Sequence, residues 1–420
     1  MPSTAERVVV VADDLTGAVD FCVHALSAPE DVVIVVPWGE PAEERWSQAW
    51  QRGPKTLGID TGSRHLDAAA SRARMLRVGE WLTGREPVRL IKKIDSLFRG
   101  NPGEEIAALI SDRPLVLAPA LPEQDRLTRE GVQYAHGIPV HESEAANDPH
   151  SPPSTSDVTK LVPPSHSVTL FDLDAVRADG LGVRVSIESS SQSALVFDAE
   201  TREDLARIDR ATRILPRAVV VASSGLAHSW SPQVQQVTFP ASTPVIVAST
   251  SRRIEVSKQL AYLLAARPAK HVRVQPWSAA RVELPQGAGS APTLCVVDAD
   301  PGTVLAEDAG QRRADSQWLN SAIAERVDIE RAAALPDAVV VVIGGDLAAT
   351  FCERHRVTSL YLSGPAASGA VVCRALAGDH IVVDRLVLRS GGFGDAFALH
   401  ALLDVDASHT AIPVTDQEEP

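Results

Sequence analysis

The sequence predicts an α/β protein made of two domains with largely parallel sheets. Three observations predict it. Short β-branched runs recur along the chain, segments of helical spacing separate them, and the runs are apolar throughout rather than alternating with polar residues. Continuous apolar strands belong to parallel sheets covered by helices on both faces. The length of 420 residues, set against roughly 150 residues for a typical domain, makes one core too few.

The first series of strands comprises VVVV from Val8, VVIVV from Val32, a strand closing on IDTGSR from Ile59, VRLIKK from Val88, LVLA from Leu115, SALVF from Ser193 and AVVVAS from Ala218. The second comprises PVIVAS from Pro244, TLCVVD from Thr293, AVVVVIGGD from Ala338 and RLVLRSGGFGD from Arg385. Between them lies HSWSPQVQQVTFPAST, a polar stretch with prolines spanning residues 228–243. It places the domains at 1–232 and 243–406, with a tail at 407–420. A second irregular stretch, residues 142–167, is richer in Pro and Ser and reads as a long loop inside the first domain.

Composition excludes several classes of function. A formal charge of −14 disfavours nonspecific binding to nucleic acid or anionic membrane, which depends on clustered Lys and Arg. Aromatic residues at 4% leave little for a base-stacking surface. Cys22, Cys295, Cys352 and Cys373 show no CxxC pairing and read as buried reduced thiols, which with the lack of an export signal or apolar span predicts a cytoplasmic protein. Partners are then a small molecule, with no nucleic acid and no membrane; a homodimer is compatible with the sequence, which does not specify the oligomeric state.

The chemistry gathers where strands end. VVVVADDLTGA places Asp13 and Asp14 at the carboxyl end of a buried strand, where ligands of open α/β sheets bind. Either the acids handle a hydroxyl or a metal, or Asp14 and Thr16 simply cap the following helix. KKIDSLFRGNPGEE brings Lys92, Lys93, Asp95, Ser96 and Arg99 to another strand end. Cations beside a buried sheet imply an anion to meet, the plainer reading being a basic rim paired with Glu104 and Glu105. Asp60, Ser63 and Arg64 end a third strand, and Arg126 and Thr128 follow a fourth. Together they suit a polyhydroxy acid. The second half offers glycine turns, Gly344-Gly345-Asp346 and Gly391 to Gly394, whose backbone N–H groups suit phosphate oxygens. No Walker P-loop occurs, and the turns lack the full dinucleotide fingerprint and its trailing acid, which disfavours an NAD-dependent oxidoreductase.

These segments, in this order, resemble the four-carbon acid sugar kinases, a family formerly a domain of unknown function. The similarity rests on ADDLTGA, DTGSR, KKIDSLFRGNPGEEI, the AP..P...R.T..G pattern from Ala118, SSGLA, ASTS, GGD and RSGGFGD. It implies an N-terminal domain holding a sugar acid, a C-terminal domain holding ATP with Mg²⁺, an active site in the cleft between them, and phosphorylation of the terminal hydroxyl of a threonate-, erythronate- or 3-oxotetronate-like acid. On this reading Asp14 orients the hydroxyl, with Asp95 its competitor. Asp13, Ser63, Arg64, Lys93, Arg99 and Arg126 bind substrate. Ser249, Ser251, Gly344, Gly345, Asp346, Gly391 and Gly394 fall on the nucleotide turns; no metal ligand is assigned. A two-domain kinase closes around its substrates, so a hinge is expected near 238–244.

The chain departs from the family pattern at Leu347, where a Thr is usual, at Arg389, where a Lys is usual, and at Ala248 and Asp125, where glycines are usual. Loss of the Thr hydroxyl and an added acid near the anion site raise the alternative of a weakened relative that binds ligand without efficient transfer.

Overall fold

A computed structural model describes residues 7–37, 42–85, 88–110, 113–148, 151–230, 234–240, 242–275, 281–283, 293–300, 309–333, 335, 337–390 and 394–403. The expected tail at 407–420 lies outside these residues. Along β1 (Arg7–Ala12), Val9 and Val11 join one hydrophobic layer while Val10 and Ala12 join the other. This alternation is what an apolar run becomes when helices cover both faces of its sheet.

The first series continues with β2 (Val32–Val35), β3 (Thr56–Asp60), β4 (Val88–Lys93) and β5 (Leu115–Ala118). A small antiparallel sheet of β6 (Arg126–Arg129), β7 (Val132–Ala135) and β8 (Ile138–Pro139) follows. The series resumes with β9 (Ser167–Phe171), β10 (Ser193–Phe197) and β11 (Val219–Ala222). The second series is β12 (Val245–Ser249), β13 (Ala269–Val274), β14 (Arg281–Glu283), β15 (Leu294–Ala299) and β16 (Val339–Ile343). It ends in an antiparallel meander of β17 (Ser359–Ala366), β18 (Ala370–Ala377) and β19 (His380–Arg389). Each strand expected from the sequence is present, so the fold is α/β with a large, mostly parallel sheet.

Among the described residues, all strands but β6–β8 form one sheet of 16, ordered β14-β13-β15-β12-β16-β19-β18-β17-β2-β3-β1-β4-β11-β5-β10-β9. The series meet where Ser359–Tyr361 of β17 pair antiparallel with Val33–Val35 of β2. This edge-to-edge seam was not expected. β17 contains Gly364 and Pro365, and the strand passes them through an irregularity between Leu362 and Gly364, the device by which sheets accommodate such residues. One hydrophobic layer runs behind both series, whereas the opposite face carries two separate layers.

The long loop at 142–167 holds short 3₁₀ turns at Glu144–Asn147 and Val158–Leu161. Of the stretch between the series, Val237 donates its N–H to the Pro365 carbonyl at 2.8 Å and Phe239 is buried. All four cysteines are buried and free. No described helix is long and apolar enough to cross a membrane.

Candidate active site

Parallel register sets Ala12, Asp60, Lys93 and Ala222 at one level across β1, β3, β4 and β11, so the residues that follow these strands converge. Asp14 caps the Leu15–Cys22 helix, its Oδ1 accepting the Gly17 N–H at 3.1 Å. The same carboxylate accepts the Thr16 hydroxyl at 2.7 Å and Arg64 Nη2 at 2.6 Å, and lies 3.6 Å from Lys93 Nζ. Capping and site chemistry therefore coexist in one group. Gly17 permits this: a Cβ there would fall 2.1 Å from Lys93 Nζ and 2.3 Å from Asp14 Oδ1.

Asp13 accepts two hydrogen bonds from Arg64, at 2.8 and 2.9 Å, and Asp95 accepts two from Arg99, both at 2.9 Å. Burial alone would raise both Asp14 and Asp95, but neighbouring cations outweigh it. Arg64 and Lys93 hold Asp14 below the usual carboxylate range, and Arg99 and Arg64 hold Asp95 well below it. Both are anions at neutral pH. Arg126 differs from the other cations. It donates to the Ser96 hydroxyl at 2.6 Å, its buried Nε has no hydrogen-bond partner among the described residues, and burial pushes it down to about 10.

Two expected residues stand elsewhere. Ser63 is fully buried, its hydroxyl bonded to Glu105 and Thr61, and Glu105 in turn pairs with the fully buried Lys92 at 2.7 Å. Ser63 thus belongs to an internal polar network behind the strand ends. The Lys92–Glu105 pair is the expected one, but it is interior rather than a solvated rim. Asp125 adopts φ +49, left-handed backbone, which explains why a glycine is usual there. Its carboxylate is exposed, 3.4 Å from His136 Nδ1, and does not face the cavity. The expected added charge at the anion site is therefore absent.

From the second series come Thr250, Ser251, Arg253, Gly344, Gly345, Asp346 and Ser390. Ser249 is buried beneath them, its hydroxyl accepting the Ser251 N–H at 3.1 Å. The Gly345–Arg354 helix points its N-terminus at the acid cluster: a Cβ on Gly345 would stand 2.9 Å from Thr16 Oγ1 and 3.3 Å from Asp14 Oδ2. Asp346 meets His65 across the gap at 3.2 Å. Gly391 lies outside the described residues. Gly394 does not line the cavity; its carbonyl accepts Gln259 Nε2 at 3.0 Å, and Gln259 Oε1 accepts buried Arg389 at 2.7 Å. Leu347, nearly fully buried, stands on the cavity wall.

Residues of both series enclose one cavity of about 900 Å³, large enough for two small substrates. Arg253, not named from the sequence, lines it, as does Asp60, which was noted at its strand end but given no role in the site. The signals were present, an aspartate at the strand end in DTGSR and arginines straight after ASTS. Burial, reinforced by the charges of Asp14 and Asp13, pushes Asp60 up to about 8. The folded protein therefore keeps a proton that the unfolded chain releases near pH 4, and stability falls as pH rises from about 4 through about 8. Asp60→Asn keeps the acceptor for the Gly62 N–H and removes this slope. Urea midpoints of the variant and the parent should diverge in favour of the variant between pH 5 and 8.5; a constant difference would show that Asp60 ionises normally.

A two-series α/β sheet whose strand ends enclose paired aspartates, arginines and a glycine turn defines a ligand-binding α/β protein with a polar cleft. The chain belongs to the four-carbon acid sugar kinase family: residues 8–230 match the family model described as a sugar-binding N-terminal domain. A D-threonate kinase from Bordetella bronchiseptica is 30% identical over 406 residues, covering 92% of this chain and 94% of that enzyme. A D-threonate kinase from Salmonella typhimurium is 30% identical over 231 residues, covering 53% of each chain, so that match spans about half the length of the relative. A solved structure from Salmonella typhimurium LT2 shares the fold, with a TM-score of 0.69 at 20% identity, covering 94% of this chain and 98% of that one.

Proposed function

We propose that this protein is an ATP-dependent, Mg²⁺-requiring kinase of a four-carbon sugar acid of threonate, erythronate or 3-oxotetronate type, acting on its terminal hydroxyl. The observation that carries the reading is the approach of two unlike half-sites. The acid–arginine cluster of the first series faces the glycine turn of the second so closely that a Cβ on Gly345 would stand 2.9 Å from Thr16 Oγ1. The proposal assigns sugar-acid binding to residues 1–232 and nucleotide binding to residues 243–406.

Bound ATP supplies the phosphoryl group, with Mg²⁺ offsetting phosphate charge. The Gly344-Gly345 turn opens a helix whose free N–H groups suit phosphate oxygens, and Ser251 and Arg253 stand on the same wall. Arg126, without a carboxylate partner among the described residues, is the cation suited to the carboxylate of the acid. Asp14 lies nearest the turn and is the group to orient the terminal hydroxyl and accept its proton at a carboxylate oxygen. Arg64 and Lys93 keep it ionised for that role. Because phosphoryl transfer depends more on positioning than on a strong base, a depressed carboxylate suffices.

ADP release with D-threonate, D-erythronate and 3-oxotetronate, with and without Mg²⁺, tests the reading. One acid should drive Mg²⁺-dependent ADP formation above background. Thermal stabilisation by acid or nucleotide without ADP would instead mark a binding protein in which Leu347 has replaced a needed hydroxyl, and would overturn the kinase assignment.

A further inference from the structure

Beside the cavity, the far end of the Leu15–Cys22 helix and the turn after it meet the short Ser224–His228 helix. Asp20 and His24, four residues apart on one helical face, are joined there by His228. One potential ligand atom from each of the three lies within 4.8 Å of the other two. The His24 and His228 rings stand 4.5 Å apart between centroids. His228 is held between carboxylates, its Nε2 3.8 Å from Asp20 and its Nδ1 3.4 Å from Glu123. Glu123 is itself fixed by Arg202 at 3.0 Å.

A salt bridge between His228 and the two acids accounts for His228 alone. It leaves Nδ1 of His24 buried with no hydrogen-bond partner among the described residues, a costly arrangement for a polar atom. We propose that Asp20, His24 and His228 bind a divalent transition-metal ion, with Glu123 as the positioning residue that orients His228. A carboxylate on one ring nitrogen of a histidine whose other nitrogen faces an acid and a second imidazole is the arrangement that fixes a metal-binding tautomer. Ligand atoms of a tetrahedral site with bonds of about 2.1 Å lie about 3.4 Å apart, so small side-chain rotations bring the three into range. Two imidazoles and a carboxylate favour Zn²⁺, Co²⁺ or similar ions over Mg²⁺, which prefers an all-oxygen shell.

Asp20 also lines the large cavity. An ion here would tie the helix that begins at Asp14 to the helix after β11, bracing the acid side of the cleft. The inference does not depend on the proposed kinase activity.

Co²⁺ serves as the probe, titrated into the chelator-treated full-length protein in the presence of excess Mg²⁺. One equivalent should produce visible d–d absorption and raise the melting temperature. His24→Ala, checked for folding by circular dichroism, should weaken Co²⁺ binding by at least about 100-fold, and Glu123→Gln by about 10- to 100-fold. Lack of a stoichiometric Co²⁺ spectrum in the parent protein, or an unchanged spectrum and affinity in His24→Ala, would overturn the proposal.

Discussion

Asp14→Asn is expected to lower kcat for ADP formation by about 10²- to 10⁴-fold, the usual worth of a positioned proton acceptor. The fold should survive, because asparagine caps helices about as well as aspartate and can still accept the Gly17 N–H. What it loses is the charge that faces Arg64 Nη2 at 2.6 Å and Lys93 Nζ at 3.6 Å. Asp95→Asn should act differently. Asp95 is held by Nε and Nη2 of Arg99 and stands farther from Arg64, at 3.9 Å, so its replacement should chiefly raise KM for the acid by loosening Arg99. The two variants, assayed side by side with circular dichroism as a control, discriminate the roles. Near-normal turnover in Asp14→Asn with none in a folded Asp95→Asn would move the proton acceptor to Asp95.

The second large effect is on stability. Glu105→Ala strands the fully buried Lys92 ammonium, which otherwise donates to the Lys93 carbonyl at 3.1 Å, and removes the acceptor of the Ser63 hydroxyl. Breaking a buried ion pair on one side typically costs about 3–5 kcal/mol, which urea denaturation should register as a sharply lowered midpoint. Replacing both partners, Lys92→Met with Glu105→Leu, should recover much of the loss, because the uncompensated charge disappears and apolar packing fills its place. A loss below about 1 kcal/mol in Glu105→Ala, the range of an exposed pair, would mean that water reaches Lys92 from behind the sheet.

Much of the cleft was legible because the sheet is parallel. Each apolar run ends at the same level as its neighbours, so charged residues written just after separate runs are brought together whatever the intervening chain does. Asp13, Asp14, Arg64, Lys93, Asp95, Arg99 and Arg126 all reach the cavity for this reason. Ser63 does not, since one step along a turn reverses the direction of a side chain and the pattern DTGSR carries no mark of which way it faces. Asp125 was misread for a related cause. The substitution of a glycine was visible, but the exposed, left-handed position that makes it harmless to the cavity was not.

The residues themselves determined the α/β class, the two series of strands and the clusters at their ends, because apolar run length, helical spacing and strand-end chemistry are local properties. Only the tertiary structure decided that β2 and β17 join the two series into one sheet, that the turn at Gly345 abuts Asp14, and that Asp20 and His24 meet His228. These juxtapositions join residues up to hundreds of positions apart, and they follow from how sheet edges pair and helices pack, which no local pattern records. The same packing took two carboxyls that each follow an apolar strand and, through burial and neighbouring charge, held Asp14 below the usual carboxylate range and pushed Asp60 up to about 8.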